Sequence, residues 1–317
     1  MEFRFILSLK QKTLKSELAM KKNEIRTEIN LLSPEIFQLG ECPLWRQDRN
    51  ELFSIDVENR ELLKRKSSGI LQRTKLQRRP ASFGWRKNGL VFAFRNGLAL
   101  TDFDAQVEKE IKCPQIDFGS ERFNDGAVDK NGFFWIGSFN PRFEKGAGSL
   151  YRLDHNLKLH KAASGFTMSN GIAWSLNGNT MYLADSRPGK LFAFDFNLSN
   201  SEVGNRRILI DYSEEKARPD GITVDAENCI WVSEVEAGRV ARYSPDGTLI
   251  SVIKTPVSKP TSLTFGGEDF QQLFITSMRV GLTNLDLKKE PNAGGTFHCS
   301  CKVTGLPEPI FGQTNIL

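Results

Sequence analysis

The chain has 317 residues, of which 39% are hydrophobic, 26% charged and 10% aromatic, a composition of folded soluble protein that excludes disordered and low-complexity chains. Its 43 basic residues face 38 acidic ones, and the only basic clusters, Lys64-Arg65-Lys66 and the stretch from Arg73 to Arg79, are not interleaved with aromatics as a base-stacking groove is. No apolar run approaches the roughly 18 residues of a membrane span, so neither a nucleic-acid nor a membrane partner is expected.

Residues 1–30 read as a charged, loosely ordered extension. The opening MEFRFILSL is followed by KQKTLKSELAMKKNE rather than a small-residue cleavage site, so no signal peptide is expected. Met20 is a candidate alternative start, and residues 1–19 are not assured as part of the native protein. Cys42, Cys113, Cys229, Cys299 and Cys301 have no metal-finger spacing. They read as reduced thiols of a cytoplasmic protein.

From residue 31 to 317 a single domain is expected, because one pattern recurs along it: a polar pair, an apolar strand, a Gly/Asn turn, then an aromatic-rich strand. The copies, in chain order, are GECPLWRQDRNELFSID from Gly40, PASFGWRKNGLVFAFRNGLALTD from Pro80, and RFNDGAVDKNGFFWIGSF from Arg122. They continue with SNGIAWSLNGNTMYLADSRPGKLFAFD from Ser169, RPDGITVDAENCIWVSEVEAGRVARYSPDG from Arg218, and KPTSLTFGGEDFQQLFITS from Lys259. Aligned on Trp45, Trp85, Asp129, Trp174, Val224 and Phe265, they are spaced by 40, 44, 45, 50 and 41 residues. That is the length of a four-stranded propeller blade. Segments such as GLVFAF, CIWVSE and QQLFITS are rich in β-branched and aromatic residues and are bounded by the turn signals RKNG, SLNG and SPDG. An all-β six-bladed β-propeller with four-stranded antiparallel blades is expected. Two stacked β-sandwiches would also give short strands, but they impose no such step.

The innermost strands of a propeller line its axis, so equivalent positions of distant copies converge. Four residues before the alignment column stand Glu41, Ala81, Asp125, Asn170, Asp220 and Thr261. Carboxylates and an amide facing one narrow channel repel each other unless a cation sits between them, and a hard divalent ion with oxygen ligands is the natural occupant. The competing reading takes Asp125-Gly126, Asn170-Gly171 and Asp220-Gly221 as ordinary turn dipeptides. Arg122 and Asn124 add a guanidinium and an amide beside the same column, suited to an oxygen-rich or anionic substrate. Alternatively, Arg122 is bridged to a neighbouring blade.

The segments GECPLW, PASFGWRKNGL, RFNDGAVD, SNGIAWSLNGNTMYLADS, RPDGITVDAE and KPTSLTFGG resemble, in order and spacing, those of the gluconolactonase, regucalcin (senescence marker protein-30) and luciferin-regenerating-enzyme family. The resemblance runs from about residue 34 to Phe297. It implies a hydrolase that opens sugar lactones with one divalent cation, calcium foremost and zinc, magnesium or manganese also compatible. By the same resemblance the metal ligands are Glu41, Asn170 and Asp220, the substrate contacts are Arg122 and Asn124, and Asp220 is the general base. A small-molecule sugar lactone is the implied partner, and a monomer or weak homodimer is expected. One departure is Gly137-Ser138-Phe139-Asn140, where relatives often carry Gly-Thr-Met and then an acidic or small residue; a bulkier uncharged wall is expected there.

No Gly-X-Ser-X-Gly elbow occurs, and His155, His160 and His298 lie off the channel column, against a serine-hydrolase triad or an aryl-lactonase propeller. Trp45, Trp85 and Trp174 read as packing between sheets rather than an aromatic box. Asp56 and Asp185, at matching second-strand positions, read as turn or supporting residues. The alternative function is a non-catalytic calcium-binding regulatory propeller.

Overall fold

The second strand of each blade is buried along nearly its whole length, because other blades cover both faces. Gly89–Phe94 (GLVFAF) is buried at every position, whereas the outer strand of the same blade, Val107–Ile111 (VEKEI), buries only Ile111. A strand covered on both faces reads as a continuous apolar run, and an edge strand facing water reads as charged. This gradient repeats around the molecule and gives each sheet its inside and outside. The computed structural model describes residues 27–313, so the first 26 residues of the expected extension, and with them residues 1–19 and Met20, lie outside the described residues.

The described residues form six antiparallel sheets. The first strands of the blades are Gly40–Arg46, Pro80–Arg86, Arg122–Val128, Ser169–Trp174, Arg218–Val224 and Pro260–Gly266. These first strands adjoin one another around the axis, which is the geometry of a six-bladed β-propeller and not of two sandwiches. Blade 6 is closed by both ends of the domain: Asn30–Leu31 pairs antiparallel with Phe297–Ser300. The boundary expected at residue 30 therefore falls inside a strand, and Thr27 Oγ1 also donates to Ser300 O at 3.0 Å. A short helix, Asn284–Lys289, interrupts this blade, its start fixed by a reciprocal Thr283–Asp286 capping box.

The six blades have the expected four antiparallel strands, and in blade 2 a two-residue strand from the C-terminal segment is added to them. Ile310–Phe311 runs parallel to its inner strand, with Ile310 opposite Trp85 and Phe311 opposite Arg86. The chain leading to it, Leu306 to Pro309, walls a cavity of about 130 Å³ formed by the second halves of the inner strands.

The core lies between blades. Trp45 stacks on Phe274 of blade 6 at 5.4 Å, Trp85 meets Phe53 of blade 1 edge-on at 5.0 Å, and Trp174 meets Trp135 of blade 3 at 6.2 Å. Each ring thus seals one seam, which is why an aromatic recurs at that register position. Truncating such a ring to alanine costs about 3–5 kcal/mol.

Candidate functional site

Every inner strand carries one extra residue against its partner, at the same level of the channel. The ladder jumps between Glu41 and Leu44, Pro80 and Ser82, Phe123 and Gly126, Ser169 and Ile172, Pro219 and Ile222, and Pro260 and Leu263. A β-bulge leaves its residues unpaired and re-aims their side chains. Here the bulges of blades 1, 3, 4 and 5 carry Glu41, Asn124, Asn170 and Asp220 to the axis, which is how residues far apart in sequence reach one cavity. Asn170-Gly171 and Asp220-Gly221 lie inside strands rather than turns. Their glycines answer a close approach instead: a Cβ on Gly171 would stand 2.4 Å from Asp220 O, and one on Gly221 2.6 Å from Ser262 Cα.

The bulges open into a cavity of about 510 Å³ whose wall includes Glu41, Arg122, Asn124, Asn170 and Asp220, all five of the sequence-predicted site residues. Asn170 is held at both ends of its amide. Its Nδ2 donates to Ser186 Oγ at 2.9 Å, and its Oδ1 accepts from Asn124 Nδ2 at 3.0 Å. Asn124 Nδ2 also donates to Ser169 O at 3.0 Å, and its Oδ1 accepts from Arg95 Nη1 at 3.0 Å. Ser186 Oγ in turn donates to Pro219 O at 2.6 Å, tying the Asn170 strand to the residue before Asp220.

Two oxygens predicted for the column are placed differently. Relative to the ladder of the second strand, Asn124 and not Asp125 is the equivalent of Asn170: Phe123 pairs with Ser138 as Ser169 pairs with Asp185. The adjacent Asn124-Asp125 pair lets the alignment slip by one. Asp125 accepts from Ser82 Oγ at 3.2 Å and from its neighbour Gly126 N at 2.8 Å, and it borders both cavities. Thr261 donates to Gly40 O and bonds Thr276 Oγ1 at 2.9 Å, so its hydroxyl stitches blade 6 to blade 1.

The acid groups stand in an environment that opposes their charge. Burial first, then the Asp220 and Asp125 carboxylates, push Glu41 well above the usual carboxylate range. Burial, then Asp125, does the same to Asp220, and burial raises Asp125 to about 6. Asp220 Oδ1 is buried without a hydrogen-bond partner. Such an arrangement is costly unless a cation is shared among the oxygens. Two carboxylates, one of them with an unsatisfied oxygen, and one amide oxygen whose NH₂ end is already used fit a hard divalent ion. They do not fit a thiolate or imidazole centre; among the described residues no three His, Cys, Asp or Glu side chains form a group that could hold a metal ion, so the fit depends on the amide oxygen of Asn170 beside the two carboxylates.

Asp56 and Asp185 prove to be clamps on the strand entrances. Asp185 accepts from Thr167 N and Met168 N at 2.9 and 2.7 Å, just before Asn170, and Asp56 accepts from Gln38 N and Leu39 N at 2.9 and 3.2 Å, just before Glu41. Phe139 forms part of the cavity wall, stacked on Phe143 at 5.5 Å, in line with the bulkier segment expected there. The histidines stand apart: His160 bonds Asp154 at 2.8 Å, His155 stacks on Phe133 and His298 on Phe274.

Sequence reasoning missed four arginines of the wall: Arg79, Arg95, Arg187 and Arg218. A signal for two of them was available. Arg79, Arg122 and Arg218 each stand two residues before the channel position of their blade, at Ala81, Asn124 and Asp220.

The family model described as SMP-30/Gluconolactonase/LRE-like region matches residues 39–279, all six inner strands included. The chain belongs to this family. It is 33% identical over 289 residues to regucalcin of Gallus gallus, covering 88% of this chain and 95% of that one. It is 31% identical over 276 residues to a 6-deoxy-6-sulfogluconolactonase of Pseudomonas putida, covering 86% and 94%. Among solved structures, the calcium-binding protein regucalcin from Agrobacterium tumefaciens superposes with a TM-score of 0.84 at 27% identity, over 90% of this chain and 97% of that one.

Proposed function

We propose that this chain is a divalent-cation-dependent lactonase acting on sugar lactones, with Glu41, Asn170 and Asp220 as the ligands of one cation. The observation that carries the reading is the crowding of Glu41 and Asp220, both held well above the ordinary carboxylate range, with one oxygen of Asp220 left unpaired in a 510 Å³ cavity. The family and the sulfogluconolactonase relative support the reaction class. A bound cation would supply Lewis-acid polarisation of the lactone carbonyl.

The chain's own groups do the rest. Asp220, whose carboxylate burial makes more basic than an ordinary one, takes a proton from the attacking water. Arg122 donates to the substrate's hydroxyl oxygens and Asn124 Oδ1 accepts from a hydroxyl, so that the carbonyl faces that water. Asn124 is itself aimed by Arg95 and Ser169 O. Phe139 and Phe143 cover one side and limit competing water. Water adds to the carbonyl carbon as Asp220 takes its proton; the ring C–O bond then breaks, the ring oxygen takes that proton from Asp220 and leaves as a hydroxyl, and the new carboxylic acid releases its proton to solvent as the carboxylate.

A second reading, a calcium-binding propeller without turnover, is favoured by the likeness to the Agrobacterium regucalcin, a calcium-binding protein. One screen separates the two: chelator-treated protein is reconstituted with Ca²⁺, Mg²⁺, Mn²⁺ or Zn²⁺ in turn and offered aldonolactones with a pH indicator. Acid release above the spontaneous rate with one of the ions supports the lactonase. Cation binding with no release from any lactone favours the second reading.

A further inference from the structure

The cavity wall holds five arginines, Arg79, Arg95, Arg122, Arg187 and Arg218, against four acidic residues, Glu41, Glu58, Asp125 and Asp220. Two of those acids are assigned above to the cation, which leaves the substrate space strongly positive. Neutral hydroxyls do not need this, because serine, asparagine or backbone groups bind them without the cost of gathering like charges.

Three of the arginines converge between blades 2 and 3, where a second groove of about 400 Å³ opens beside the first. Arg79, Arg95 and Arg122 belong to both walls. The rest of the groove brings Arg60 and Arg78 and no acidic residue. Among the described residues Arg79 pairs with Glu58 and Arg78 with Glu110, but Arg95 and Arg122 have no carboxylate within ion-pair distance. Arg122 Nη1 meets only the Glu121 carbonyl, at 3.1 Å. Arg95 uses Nη1 for Asn124 and the Phe123 carbonyl, at 3.0 and 3.3 Å, while its Nε is buried with no partner. Burial first, then the neighbouring Arg79, depresses Arg95 to about 10, and the opposing pull of Glu41 and Glu58 does not offset this. An anion placed there relieves the repulsion, and guanidinium forks pair with planar or tetrahedral oxyanions in two-point contacts.

We infer that the lactone taken by this site carries a second, acidic group remote from its ring carbonyl, a carboxylate, sulfonate or phosphate, bound between Arg79, Arg95 and Arg122. This deepens the lactonase reading and rests on it. Arg95 is the specificity-determining residue, because it joins the anion subsite to Asn124.

The test compares the full chain, loaded with the cation that best supports turnover, on glucono-δ-lactone and on its three analogues with carboxylate, sulfonate or phosphate at C6. At least one acidic lactone exceeds the neutral one in kcat/KM by roughly tenfold or more. The advantage lies mainly in KM and shrinks as salt rises from about 20 mM to about 500 mM; which analogue wins identifies the acid. In Arg95→Gln the acidic-to-neutral ratio collapses toward one, and Arg95→Lys restores part of it. A neutral lactone used as well as all three acidic ones, or an unchanged ratio in Arg95→Gln, overturns the inference. Arg79→Gln replaces Arg95→Gln should the latter fail to fold.

If no lactone at all is turned over, the lactonase reading fails separately, and calorimetry with the open-chain acids still decides. A C6-acidic aldonate bound at least fivefold tighter than gluconate in the wild type, and not in Arg95→Gln, sustains the anion site. Equal binding of the two removes it.

Discussion

Ser186 accepts a hydrogen bond from Asn170 Nδ2 at 2.9 Å, so the hydroxyl determines which end of the Asn170 amide faces the cavity. Because the same oxygen donates to Pro219 O at 2.6 Å, one small side chain fixes two proposed ligand strands relative to each other. Supporting groups of this kind usually matter to metal affinity about 10–100-fold. Ser186→Ala is therefore expected to weaken cation binding by about that factor, read by calorimetric titration, while the far-ultraviolet circular dichroism stays that of a β-protein. Unchanged affinity would mean that Asn170 is held without Ser186.

Asn124 adds a second restraint, since its Nδ2 reaches Asn170 Oδ1 and its Oδ1 is anchored by Arg95. Asn124→Ala frees both neighbours at once. Loss of roughly a hundredfold in kcat/KM for lactone hydrolysis is expected from the misplacement, with a smaller change in cation affinity than Ser186→Ala produces. A variant that turns over at the wild-type rate would remove Asn124 from the substrate site.

Much of this architecture was legible in the sequence, and the misses have physical causes. The blades declared themselves because each inner strand repeats the same bulge and turn, and four of the six an aromatic at one position, so Glu41, Asn170 and Asp220 fell into one column. Blade 3 slipped because Asn124 and Asp125 are neighbours of similar chemistry, and only the ladder, with Phe123 opposite Ser138, shows that Asn124 is the equivalent of Asn170. Thr261 was indistinguishable from a ligand by type, yet its hydroxyl is taken by Gly40 O across a seam that no linear pattern displays. Arg95 and Ser186 were invisible for another reason. Both follow the second strand of their blade, Gly89–Phe94 and Thr180–Asp185, and they reach the cavity from a different element than the column. The fifth strand of blade 2, Ile310–Phe311, has two residues and no periodicity to read.

The glycines after the channel positions are constrained by space. At Gly171 a Cβ would lie 2.4 Å from Asp220 O and 2.6 Å from Ile222 N, both backbone atoms of the next blade. Gly171→Ala forces the two inner strands apart and is expected to cost about 1–3 kcal/mol, seen as a lower unfolding temperature. It should also weaken cation binding, because the displaced carbonyl belongs to Asp220. Wild-type stability in this variant would show that the strands yield freely.

The far side of the channel gives a pH-dependent prediction. Burial first, then the Asp125 charge, raises Glu308 to about 7. Asp125 itself is raised to about 6. Ordinary carboxyls titrate near 4, so between about 4 and about 7 the folded state holds protons that the unfolded chain has released. Stability from these groups is present at low pH and is lost as pH rises through that window. Glu308→Gln removes one of them and should leave the cation-free protein on the order of 1 kcal/mol more stable at about pH 8, after allowance for partial solvent access of the carboxyl. Thermal unfolding between about pH 5 and about pH 8 checks this, and an identical pH slope in wild type and variant would contradict it.

The central claim is that Glu41, Asn170 and Asp220 grip one ion and that hydrolysis depends on it. The most direct measurement titrates Ca²⁺ into chelator-stripped protein while acid release from glucono-δ-lactone is followed, in the wild type and in Asn170→Ala and Asp220→Asn. The account predicts one tight site per chain, turnover that rises and saturates with its filling, and loss of both in either variant with the β-sheet spectrum intact. Full turnover in the stripped protein, or in either variant, would contradict it.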